Sequence, residues 1–146
     1  MDSRKLIRSI AKDILDKFSG VSLIDESTNH ESDSFVAIVA SLSSIKSRGF
    51  IESLISSTLD KYASKVRCDM VKSIKGNEKD SSIRLDVNTT LKSRHIHVCG
   101  MLYDESYAKG NKENVIIVNV IHDFADDPSD PASVLVYVSC NLSMYV

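Results

Sequence analysis

The stretch that most limits what this chain can fold into is its last one, Ser133 to Val146. Val134, Val136, Val138, Cys140, Leu142, Met144 and Val146 share one face of an extended strand. Leu135, Tyr137, Ser139, Asn141, Ser143 and Tyr145 share the other. A wholly apolar face opposite a mixed one predicts an antiparallel strand with one side against a core. Upstream, Val115 to Phe124 reads VIIVNVIHDF, an almost continuous apolar run that predicts a strand buried on both sides. Between the two, Ala125 to Pro131 (ADDPSDP) is turn chemistry. Residues 115–146 thus predict a long antiparallel hairpin that the rest of the chain covers or extends.

Ahead of the hairpin the period changes. Leu6, Ile7, Ile10, Ile14 and Phe18 form a stripe at helical spacing, which predicts a helix over 3–18 with Asp2 or Ser3 as cap. Residues 19–33 are polar and aperiodic and predict a loop. Residues 34–46 fit two templates: Phe35, Ile38, Val39, Leu42 and Ile45 suit a helix, while Val36, Ile38, Ala40 and Leu42 suit a strand. A cap at Asp33 or Ser34 favours the helix. Arg48-Gly49 breaks the pattern, and Ile51, Leu54, Ile55, Thr58, Leu59, Tyr62 and Val66 then stripe a second helix over about 50–65. From Val66 alternation takes over, giving strands through Ile74, across 83–88 and from Arg94 to Tyr103, with a polar loop at 104–114. The expected architecture is α+β: amphipathic helices packed on one face of an antiparallel sheet of four to five strands. Its parts are an N-terminal helix and polar loop (1–33), a helical region (34–66) and the sheet (66–146).

The chain's 146 residues suit a single domain with one core. A net charge of −2 offers no basic field for nucleic acid or an anionic membrane. No apolar run is long enough to span a bilayer, and the charged amphipathic start is not a secretory signal. Cys68, Cys99 and Cys140 are an odd set without zinc-ribbon spacing, so reduced, buried thiols in a cytoplasmic protein are expected.

The sharpest chemical constellation is Arg94-His95-Ile96-His97-Val98-Cys99. On a strand, His95, His97 and Cys99 project from one face, and two imidazoles with a thiolate are ligands zinc accepts. His122, Asp123, Cys140 or His30 would have to complete the set. Against this metal-binding reading stands the plainer one, the less buried face of a strand whose other face is Ile96, Val98 and Leu102. Asp123, Asp126, Asp127 and Asp130 lack the ligand order and turn glycine of a Ca²⁺ loop and read as a solvated hairpin end. There is no Gly-x-Ser-x-Gly and no phosphate-cradling glycine loop. A chain without catalysis and without a cofactor is expected. The remaining resource is the sheet: an open strand edge either needs protection or binds another strand.

The order of elements resembles the Tctex-type dynein light chains. Cys99-Gly-Met-Leu-Tyr103-Asp104-Glu-Ser106 is similar to that family's strand ending in an aromatic–Asp pair, although the family usually has Trp where Tyr103 stands. Val138-Ser-Cys-Asn-Leu-Ser143 is similar to its closing strand. The resemblance implies a homodimeric adaptor that exchanges a strand and binds a short disordered segment of a larger protein by strand addition. The implied partner and dimer strand is Arg94, His95, Ile96, His97, Val98, Cys99, Met101 and Tyr103, in a cytoskeletal motor or actin-related setting. A metal-binding protein using His95, His97 and Cys99, or a subunit of a hetero-complex, are the alternatives.

Overall fold

The computed structural model describes residues 3–18, 22–28, 35–42, 45–63, 71–76, 82–85, 92–103, 115–125 and 132–141. Helix α1 (Ser3–Leu15) follows the expected stripe: Leu6, Ile7, Ile10, Ala11 and Ile14 are buried, as is Phe18 just beyond it. Helix α2 (Arg48–Ala63) buries Ile51, Leu54, Ile55, Thr58, Leu59 and Tyr62. The buried Thr58 hydroxyl donates to the Leu54 carbonyl at 2.8 Å, so its burial leaves no polar group unmet. Ser47 caps this helix. Its hydroxyl accepts the Phe50 N–H at 3.1 Å and its carbonyl accepts the Ile51 N–H at 3.2 Å. Arg48-Gly49 is therefore the first turn of α2 rather than a break before it.

All remaining elements join one antiparallel sheet of seven strands. These are β1 (Ser22–Thr28), β2 (Phe35–Leu42), β3 (Val71–Gly76), β4 (Ser82–Leu85), β5 (Lys92–Tyr103), β6 (Val115–Ala125) and β7 (Ala132–Asn141). Their order is β1-β2-β7-β6-β5-β3, with β4 beside β3 on β5. The predicted hairpin is β6–β7, and it sits at the centre. Residues 126–131 and 142–146, which would extend it, lie outside the described residues.

The α+β class holds, with helices on one face of an antiparallel sheet. The strand number exceeds the four to five expected, because the stretches read as a loop (19–33) and as a helix (34–46) supply β1 and β2. The helical reading of 34–46 is corrected by pairing: β7 has two edges, β6 fills one, and β2 fills the other over Phe35–Leu42. The period-two set won, since Ile38, Ala40 and Leu42 are all buried. Tertiary pairing decided a stretch whose local propensity was divided.

Both helices lie on the same side, α1 over β2 and β7, α2 over β3 and β5. Beneath them Val98, Val118, Val120, Val134, Val136 and Val138 are wholly buried, each contributing about 1.5–3 kcal/mol. Gly100 permits the approach of α2 to β5, because a Cβ there would collide with Ile55 and crowd Ile74 and Leu59. Among the described residues no helix is long and apolar enough to cross a membrane.

Candidate functional site

From His95 to Tyr103 the odd-numbered residues of β5 face away from the helices, and the even-numbered ones face them. Ile96 and Val98 are therefore core residues, while His95, His97, Cys99, Met101 and Tyr103 are half-buried on a sheet face that neither helix covers. For Arg94 only the backbone pairing is described, with Ile83 on one side and Phe124 on the other.

On that uncovered face each histidine is oriented by a neighbour on β6. His95 Nδ1–H donates to Asp123 Oδ1 at 3.0 Å, across a directly opposed pair. His97 Nε2–H donates to Asn119 Oδ1 at 2.7 Å. The two rings stand 6.3 Å apart at their centroids. Burial pushes the Cys99 thiol above its ordinary pKa, only partly opposed by the charge of Lys75, so it stays protonated and is a poor ligand or nucleophile. Of the groups expected to complete a metal set, Asp123 reaches His95, but His122 and Cys140 do not join it. His122 and Cys140 lie on the opposite, helix-covered face of their strands, since side chains alternate. His30 lies outside the described residues, as do Asp126, Asp127 and Asp130. Among the described residues no three His, Cys, Asp or Glu side chains come together around a possible ion.

The backbone of β5 corrects the expected partner strand. Val98 to Tyr103 pairs with β3, Lys92 to His95 pairs with β4, and Ser93 to Tyr103 pairs with β6. Residues 94–103 are thus interior to a single subunit. Only Ile96 and His97 fall between the two outer pairings. Apart from those two, the backbone groups expected to be free there are paired within the chain, and among the described residues the edge lies one strand further out.

At that edge is a feature the sequence reading missed. An open groove of about 440 Å³ runs between β3 and the outer flank of α2, lined by Glu52, Ser53, Ser56, Ser57, Asp60 and Ile74. Lys72 bridges it near one end. Lys72 Nζ donates to Asp60 Oδ1 at 2.7 Å and to Ser56 Oγ at 2.8 Å. At the other end Arg48 Nε lies 3.2 Å from Glu52 Oε1. There a Cβ on Gly76 would come within 2.8 Å of Glu52 Oε1 and 3.0 Å of Arg48 Cδ, so glycine keeps strand and helix close. The signal for this groove was present in the chain. Ser53, Ser56 and Ser57 are three small side chains spaced to share one flank of α2.

A second, smaller groove of about 220 Å³ lies on the other side of α2, lined by Asp13, Asp16, Lys17, Ser57, Thr58 and Lys61. Asp13 Oδ2 accepts from Tyr62 Oη at 2.6 Å and from Lys61 Nζ at 2.7 Å, joining α1 to α2. Burial acts to raise the Asp13 pKa, but the bonds from Lys61 and Tyr62 and the charges of Lys61 and Lys17 together hold it below the usual range. Burial, with the same carboxylate beside it, pushes Tyr62 up to about 12.

No family model matches the chain and no curated protein matches it. A solved structure, that of the putative thioesterase from Shewanella oneidensis, is similar over 93% of this chain and 98% of its own, at 15% identity and a TM-score of 0.25. The expectation of a chain without catalysis is withdrawn. At that TM-score the likeness carries no argument about activity.

Proposed function

We propose that this chain is a protein-interaction module that takes a short extended segment of a partner as an added strand along β3. The observation that carries the reading is the groove between an edge strand and a helix. Main-chain groups of the edge would supply affinity, and a side chain seated in the groove would supply selectivity. Among the described residues no strand pairs the outer side of β3.

The lining defines the partner's chemistry. Glu52 and Asp60 already hold Arg48 and Lys72, which leaves serine hydroxyls and the flank of Ile74 to meet an incoming residue. A small, uncharged side chain fits that surface. Two lysines among the six residues of β3 disfavour pairing of this edge with a second copy of itself. The thiols of Cys99 and Cys140 are both free, which supports a reducing, cytoplasmic setting.

Selection from a displayed library of random short peptides tests the proposal. Enriched peptides should slow amide exchange across residues 71–76, and Ser53→Trp, which fills the groove from an exposed position, should weaken them at least about tenfold, or ~1.4 kcal/mol. Peptides that protect β1 instead, or that bind Ser53→Trp unchanged, would overturn it. A dimer that sediments with β3 protected in the absence of peptide would also overturn it, by giving the edge to a second copy.

A further inference from the structure

We propose that His122 is an acid-released clasp that ties the start of α2 to the β6–β7 hairpin. The ring is wholly buried on the helix-covered face of β6. Its Nδ1–H donates to the Ser133 carbonyl of β7 at 2.9 Å, and its Nε2 accepts the Lys46 N–H at 3.0 Å. One side chain thus joins three segments: β6, β7 and the link of residues 45–47 that leads into α2. Phe124 packs against it with ring centroids 5.1 Å apart.

This arrangement admits a single neutral tautomer, with the proton on Nδ1. A second proton can go only to Nε2, the atom on which the Lys46 N–H depends. Protonation would set two N–H groups against each other, leave the Lys46 amide without an acceptor and bury a positive charge. The charged groups acting on the ring are Asp123 of β6, which favours the proton, and Lys46 of the link, which opposes it; β7 contributes the Ser133 carbonyl. Asp123 gives incomplete relief, because its carboxylate accepts from His95 on the opposite face. Burial dominates and holds the His122 pKa below its ordinary value.

The link matters beyond its own bond. Lys46 precedes Ser47, the cap of α2, and the first turn of that helix carries Arg48, which pairs with Glu52 in the lining of the β3 groove. Releasing the clasp frees the helix end that shapes the groove. The clasp itself rests on the geometry of the ring and stands whether or not a peptide binds at β3.

Two measurements on the intact chain decide it. Ring ¹⁵N shifts of His122 should report the Nδ1–H tautomer at neutral pH. The Lys46 amide, corrected for intrinsic rate, should exchange about tenfold faster at about pH 5 than at about pH 7. In His122→Gln the side-chain oxygen can still accept from Lys46 and the amide can still donate to Ser133, with no titrating group. That variant should keep Lys46 protected at both pH values. An Nε2–H tautomer, flat Lys46 exchange, or an undiminished pH effect in His122→Gln would each overturn the clasp. If the variant fails to fold, the tautomer and titration of the unaltered chain decide alone.

Discussion

The two faces of the sheet are made by the same strands, one residue out of step, and they differ in nearly every physical respect. Beneath the helices the surface is mostly valine and isoleucine at zero or near-zero exposure, and His122 there has both ring nitrogens occupied. On the uncovered face Met101, Ile117, Ile121, Leu135 and Tyr137 are only half-buried, and among the described residues the side chains of His95 and His97 each meet a single polar partner. The same residue type is thus a structural acceptor on one face and a partly exposed, singly bonded ring on the other. Helix cover, not residue identity, sets which role a histidine has here.

The largest expected contrast is between neighbours. Ile116 is wholly buried under the helices, and Ile116→Ala should cost about 2–5 kcal/mol in urea unfolding, while Ile117→Ala on the other face should cost about 1 kcal/mol or less. Equal losses would mean that the uncovered face is covered in solution. Next come the glycines. Gly100→Ala should destabilise by about 1–3 kcal/mol, since its Cβ meets Ile55, whereas Gly49→Ala, with open space around it in the first turn of α2, should stabilise by up to about 1 kcal/mol.

Titration separates the faces further. The folded pKa of His122 lies below its ordinary value, so its contribution is complete above about pH 6.5 and is lost as pH falls through the folded value. Urea midpoints should therefore fall on acidification below about pH 6.5, and His122→Gln should flatten that region. The smallest effect belongs to the helix–helix contact. Asp13 is lowered, so its share is present above about pH 4 and vanishes as pH drops through its folded value. With Lys61 largely exposed, Asp13→Asn should cost no more than about 1 kcal/mol at neutral pH and less in acid.

Much of this was legible in the chain because one-sided burial writes itself as period. The stripe of α1, the stripe of α2 and the alternation of β5 and β7 appear at their expected places, and the helix-on-sheet class follows from them. Residues 34–46 failed because Ile38 and Leu42 satisfy both periods, and the deciding term, the vacant edge of β7, is non-local. The candidate site failed for a related reason. Alternation along 94–103 says which side chains share a face but not whether the backbone is already paired, so a strand that is interior reads like one that is open. The groove beside β3 needs α2 and β3 placed together, which no window containing either one reveals.

Amide exchange of the isolated chain tests the central claim, that β5 is closed and β3 is the open edge. The account predicts slow exchange across residues 94–103 in a lone subunit, with the outward amides of residues 71–76 fast until a peptide is added. Fast exchange of 94–103 that slows only on association would contradict it and return the binding strand to β5.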